Sequence, residues 1–227
     1  MRSLISILVF TIACGGSGSD TMNDATGGTV DPAMRYEPWT TGAVWSYKLT
    51  DSNSAAMATN KLTTVMAPRD VGGVHAGKQA FLVHIEQLTG SKDVYEAHVG
   101  DLDIRYESIF YDQVGTMTST DVDQPYRLKL DESAAHTTTG AQWSETFSET
   151  STPAGGTAST KSKTEQWRVV SASEPITVIA GSYTALHVQR TSSGGSIQDY
   201  WYVRGVGKVK ETGGGQNEEL MSFTPGT

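Results

Sequence analysis

Gly72, four residues, Gly77 and Lys78 spell most of a phosphate-binding loop. That loop also needs a Ser or Thr next, whose hydroxyl holds magnesium, and Gln79 stands there instead. It needs a helix after it as well, because a helix N-terminus concentrates positive potential; here a period-two pattern follows. Gly205-x-Gly207 has Lys210 where a dinucleotide fingerprint requires a third glycine, and Val209 and Lys210 continue a strand. Both stretches read as hairpin corners. None of the five histidines, His75, His84, His98, His136 and His187, is spaced to share a metal with another in sequence. Asp101-Leu-Asp103 and Asp121-Val-Asp123 lack the glycine and trailing glutamate of a calcium loop. No Gly-x-Ser-x-Gly elbow exists, and no cysteine is available as a nucleophile. Glu86, Glu96, Glu107, Glu145, Glu149 and Glu165 are scattered singly over faces that read as solvated. A hydrolase would need two of them to converge, which sequence spacing in an all-β chain does not reveal. The expectation is no enzyme, no cofactor and no metal.

Cys14, the single cysteine, sits at the end of a leader. Arg2 precedes an apolar run from Leu4 to Ile12. As a helix that run spans about 14 Å, roughly half a hydrocarbon core, so it reads as a signal peptide over residues 1–13. Thr11-Ile12-Ala13-Cys14 resembles the bacterial lipobox, in which a small residue precedes a cysteine that becomes lipidated and N-terminal. Thr11 departs from it, since leucine is usual there. The resemblance implies acylation of Cys14, and Gly15 after it implies sorting to the outer membrane, because the retention signal is aspartate. One acyl chain anchors weakly; the several chains of a lipobox cysteine hold firmly. A lone cysteine excludes an internal disulfide framework.

The chain has 227 residues, 17 basic and 25 acidic, for a net charge of −8. With no basic block, a nucleic-acid footprint is lacking, and acidity of this size favours solubility. Residues 14–37 are mostly Gly, Ser, Thr, Asp and Asn; they cannot bury a core and read as a tether that lets residues 38–227, one all-β domain, stand off a membrane.

Period-two alternation recurs from there on. It appears in residues 43–50, 78–88, 91–99, 102–111, 142–150, 164–172, 182–191, 197–203, 207–212 and 219–223. Turn formers fill the gaps, and no window carries a helical stripe. Residues 112–125 and 150–163, rich in Thr and Ser, read as long loops. Short strands without intervening helices imply an antiparallel meander. About 10–12 strands cannot stay flat, so the expected fold is a large curled sheet, a half-barrel or open barrel, with a β-sandwich as the alternative.

Aromatic residues sit at alternate strand positions. Most fit a core and cross-strand pairs. Trp45, Tyr47, Phe81, Trp167 and Trp201 are candidates for lining a concave apolar groove.

The stretches "EPITVIAGSYTALHVQR", "YWYVRGVGKVKET" and "GAVWSYKLT" resemble a pattern of secreted bacterial β-rich lipoproteins of unknown function, marked by a Trp-Tyr-x-x-Gly-Val-Gly-x-Val-Lys hairpin. Some of these are similar to the lipoprotein-carrier half-barrel, whose groove is plugged by helices; this chain has no clear helix. The resemblance covers about 50 residues. With the lipobox it implies a membrane-anchored, non-catalytic binding or assembly protein of the bacterial cell envelope. The alternatives are a carrier of a lipid or acyl chain and an envelope hydrolase. Partners are the membrane, through the lipid on Cys14, and a hydrophobic ligand or an envelope protein, with no nucleic acid.

Overall fold

The computed structural model describes residues 30–51 and 54–227. Cys14 and most of the expected tether lie outside them. Twelve strands follow one another: β1 (Val44–Asp51), β2 (Ser54–Gly72), β3 (His75–Gln87), β4 (Gly90–Val99), β5 (Leu102–Tyr111), β6 (Met117–Asp131), β7 (Gln142–Pro153), β8 (Ser159–Val178), β9 (Gly181–Thr191), β10 (Ile197–Val203), β11 (Gly207–Gly213) and β12 (Gln216–Thr224). Each pairs antiparallel with its neighbours in sequence, and β1 pairs with β12, from Val44 opposite Thr224 to Asp51 opposite Gln216. The sheet therefore curls, as expected, and goes beyond a half-barrel: it closes. Closure leaves no edge strand with unpaired backbone groups.

Two apolar clusters hold the wall. One joins Trp45, Tyr47, Leu49, Val65, Val83 and Leu220; the other joins Ile104, Leu128, Trp167, Val188, Tyr200 and Tyr202.

The stretches expected as loops are strands. Residues 117–125 belong to β6, and residues 150–163 belong largely to β7 and β8. Hydroxyl ladders explain both the pairing and the misreading. Thr146 bonds Thr164 at 3.1 Å and Thr150 bonds Thr160 at 2.9 Å on the exposed face. The alternate residues include Glu149 and Lys163, which pair at 3.2 Å, so both faces are polar and hydrophobic alternation vanishes. The exposed Ser and Thr side chains also make this wall polar, unlike the apolar outer band of a membrane barrel. β2 likewise has no counterpart among the expected strands.

The folded unit also begins earlier than Pro38. A single 3-10 turn, Pro32–Met34, is capped by Asp31, and the chain then crosses one end of the barrel. Arg35 donates to the Gly100 carbonyl at 2.8 Å, Tyr36 N donates to Glu132 Oε1 at 2.7 Å, and Gly205 N donates to the Arg35 carbonyl at 2.7 Å. These partners lie in the β4–β5 turn, the β6–β7 loop and the β10–β11 turn, all at the same end. Tyr36 and Trp39 are buried there. Burial of large aromatic groups is the physical reason that residues 35–37 are not tether.

The Tyr200-Trp201-Tyr202 strand and the turn after it behave as the sequence suggests, and the glycines have steric reasons. A Cβ on Gly205 would lie 2.9 Å from the Ala33 carbonyl oxygen, and one on Gly207 would lie 2.8 Å from Trp45 Nε1. Both have positive φ, +70° and +100°. They let the plug and the indole approach the hairpin.

Candidate binding cavity

Antiparallel strands place alternate side chains inside, and in a twelve-stranded barrel the inside is too wide for side chains to fill completely. What remains is a cavity of about 310 Å³. It runs from Glu37 and Tyr202 near the plugged end to Gln87, Gln198 and Gln216 at strand ends on the opposite side. A smaller space of about 60 Å³, lined by Trp39, Trp45 and Tyr47, shares Lys61, Lys129 and Lys208 with it.

The lining is charged. Cross-strand pairs arrange it: Lys92 lies opposite Ile85, Glu96 opposite Arg105, Arg105 opposite Arg127, and Trp167 opposite Arg190. Among the described residues four ion-pair groups follow. Glu218 Oε1 lies 2.7 Å from Lys61 Nζ, and its Oε2 lies 2.7 Å from Lys208 Nζ. Lys208 also meets Glu211. Lys129 Nζ lies 2.6 Å from Glu96 and 3.7 Å from Glu37. On the remaining wall Arg105 Nε donates to Asp123 at 2.7 Å, while Arg127 Nη2 donates to Glu165 Oε1 at 2.5 Å and Arg190 Nη1 lies 3.6 Å from that same oxygen.

Protonation follows from this geometry. Burial opposes ionisation of Glu218, but Lys208 and Lys61 outweigh it and hold the carboxyl far below its usual range. Burial opposes the charge on Lys208 too, yet Glu211 and Glu218 raise it well above an ordinary lysine. Burial pushes Glu37 up despite Lys129. Burial, with Lys61, Arg105 and Lys129 nearby, brings Lys92 down to about 7. Among the described residues Lys92 makes no ion pair.

The five aromatic candidates do not form one groove. Trp167 lines the large cavity, and Trp45 and Tyr47 line the small one. Trp45 Nε1 donates to the Val206 carbonyl at 2.5 Å and Tyr47 Oη donates to the Lys208 carbonyl at 2.9 Å, so both rings are fixed. Phe81 is partly buried against the cluster of Trp45 and Val83. Trp201 alternates with Tyr200 and Tyr202, stacks on His187 at 4.2 Å and donates to Glu174. Neither borders the two cavities.

Sequence reasoning missed the charged interior. Glu96, Glu149 and Glu165, read as solvated, point inward, with Glu96 and Glu165 only 3% exposed. The available signal was period two: Lys92, Val94 and Glu96 share a face, as do Arg127 and Lys129. Histidine follows a separate plan. His84, His98, His136 and His187 each place Nδ1 within 2.5–2.7 Å of an Asp or Glu oxygen. Three of these rings stack on Trp39, Trp143 or Trp201. Among the described residues no group of three His, Cys, Asp or Glu side chains is placed to hold a metal ion. No helix among them is long and apolar enough to cross a membrane.

No protein-family model and no curated protein sequence matches the chain. A solved structure from Parabacteroides distasonis, described as a "putative lipoprotein", aligns at a TM-score of 0.41 and 12% identity, over 84% of this chain and 99% of that one.

Proposed function

We propose that this chain is a lipid-anchored, non-catalytic binding protein of the bacterial cell envelope, whose ligand enters the barrel at the end opposite the plug. The observation that carries the binding part is the 310 Å³ interior space, reached at Gln87, Gln198 and Gln216 and backed by the segment that crosses the other end. Its size lies at the lower end of ligand pockets, and its rigid wall presents convergent polar groups. The lining is polar where a lipid carrier wants hydrocarbon, so a polar ligand fits better than an acyl chain. Anchoring rests on Cys14 and the leader before it. The first described residues lie at the plugged end, away from the entrance.

Two measurements test the two parts separately. Labelling cells with an alkyne fatty acid should mark the wild-type protein in the membrane fraction, and Cys14→Ser should lose both label and membrane association; an unlabelled wild-type protein ends the anchoring reading. Native mass spectrometry of the purified protein should reveal a small molecule retained by the wild type and lost when Gln198→Trp narrows the entrance. An equal retained mass in both proteins, or none in either, counts against the cavity as the binding site.

A further inference from the structure

Ion pairing in the barrel is uneven. Lys61 and Lys208 share Glu218 and Glu211, two cations with two carboxylates. Lys129 faces two carboxylates alone, Glu96 and Glu37. Arg105 has Asp123. Arg127 and Arg190 share the single carboxylate Glu165, and Lys92 has no partner among the described residues. Two guanidinium groups therefore face one carboxylate on the wall of Arg127 and Arg190, beside Lys92, in a protein whose overall charge is −8.

Hydrogen bonding on that wall is incomplete in the same place. Arg105 Nη2, Arg127 Nε and Arg190 Nε are buried donors without an acceptor. Buried guanidinium donors normally find partners, because an unpaired one forfeits its hydration. The guanidinium planes are held in place by rings: Arg190 lies 5.8 Å from the centroid of Trp167 and 5.4 Å from that of Tyr200, and Arg127 lies 5.6 Å from Phe147. Like charges also crowd. Burial first, then Arg105 and Arg190, lower the basicity of Arg127. All three arginines and Lys92 border the one cavity.

We infer that the barrel binds a small oxyanion, a carboxylate or phosphate group, between Arg105, Arg127, Arg190 and Lys92. An anion there would lie against the four basic side chains that line the cavity, and Arg donors suit planar or tetrahedral oxyanions. It would also relieve the crowding of Arg127. The inference rests on the interior cavity being the binding site.

Titration calorimetry of the purified full chain at low ionic strength tests it, with inorganic phosphate, citrate and, as the control for ionic strength, chloride. Saturable binding of phosphate or citrate is expected, and the tighter of the two identifies the oxyanion. Arg127→Gln should weaken it by about ten- to a hundredfold, the loss of one charge-assisted interaction. Because that variant also strips a partner from Glu165, Lys92→Met serves as the independent case. Lys92 holds no carboxylate, so the variant should fold at least as stably while binding the anion about tenfold more weakly. No saturable heat with either anion, or unchanged binding in Lys92→Met and Arg127→Gln alike, overturns the inference. If neither anion binds but native mass spectrometry still finds a neutral molecule displaced by Gln198→Trp, the cavity reading survives and the oxyanion does not.

Discussion

The two ends of the barrel interior solve burial differently. At the plugged end, residues 35–43 seal the space with rings and backbone hydrogen bonds. Trp39 is 4% exposed and stacks on His98 at 4.5 Å, and Trp45 is 3% exposed with its indole N–H satisfied. Even the buried carboxyl there sheds its charge: burial, with Glu132 and Glu37 nearby, raises Asp103 well above the usual range, while burial and Arg35 bring His98 down to about 3. The two share one proton across 2.5 Å as a neutral pair. In the middle, charges are arranged in pairs, and among the described residues six of the ten buried side-chain atoms without a hydrogen-bond partner sit on Arg105, Asp123, Arg127, Glu165, Trp167 and Arg190. The plugged end is sealed by ring packing and backbone hydrogen bonds. The middle instead keeps buried charge and leaves several of its polar atoms without a partner.

Breaking the lattice in the middle should give the largest effect. Glu218→Gln leaves two buried ammonium groups short of a counter-charge and should cost about 3–5 kcal/mol in urea denaturation. Replacing Lys61, Lys208 and Glu218 together by apolar residues of similar size should cost far less, or even stabilise, because it removes the desolvation burden along with the attraction. If single and triple replacements cost the same, the middle is no more electrostatic than the plug. On the other side, Trp39→Ala should cost about 3 kcal/mol, from lost burial and the cavity left behind. Its effect should hardly depend on salt.

A glycine sets the next size. Gly207→Ala forces a Cβ against Trp45 Nε1 at positive φ and should cost about 2 kcal/mol, with a change in Trp fluorescence from the displaced indole. Lys92 supplies a pH signature. Its folded-state pKa of about 7 lies below the ordinary 10.5, so between those values the unfolded chain binds the proton and the folded chain does not. Stability contributed by this group should therefore rise with pH from 7 toward 10. Subtracting the Lys92→Met profile isolates it, with a span of about 3–4 kcal/mol between pH 7 and pH 10. A flat difference would mean that Lys92 stays charged and solvated. The smallest effect belongs to the neutral pair. Asp103→Asn keeps a donor for His98 and should change stability by less than about 1 kcal/mol; a cost of several would show an ion pair instead.

Legibility tracked hydrophobic contrast. Where one face was apolar, as in Trp45, Tyr47 and Leu49 against Ser46 and Lys48, strand and inward face could both be read. Where charges point inward and hydroxyls outward, as in β7 and β8, period two carried no contrast and strands passed for loops. Tyr36 and Trp39 failed for another reason: their burial depends on turns some 65–170 residues away in the chain, at Gly100, Glu132 and Gly205.

By itself, then, the amino-acid order determined an all-β meander and its main turns, because each of these depends on residues near one another in the chain. Barrel closure, the plug and the charged cavity were decided by tertiary structure. They depend on β1 meeting β12 and on which of two faces ends up inside. A lysine or glutamate in a strand reads as solvent-facing until the sheet closes around it and supplies a counter-charge from a distant strand, as Glu218 does for Lys61.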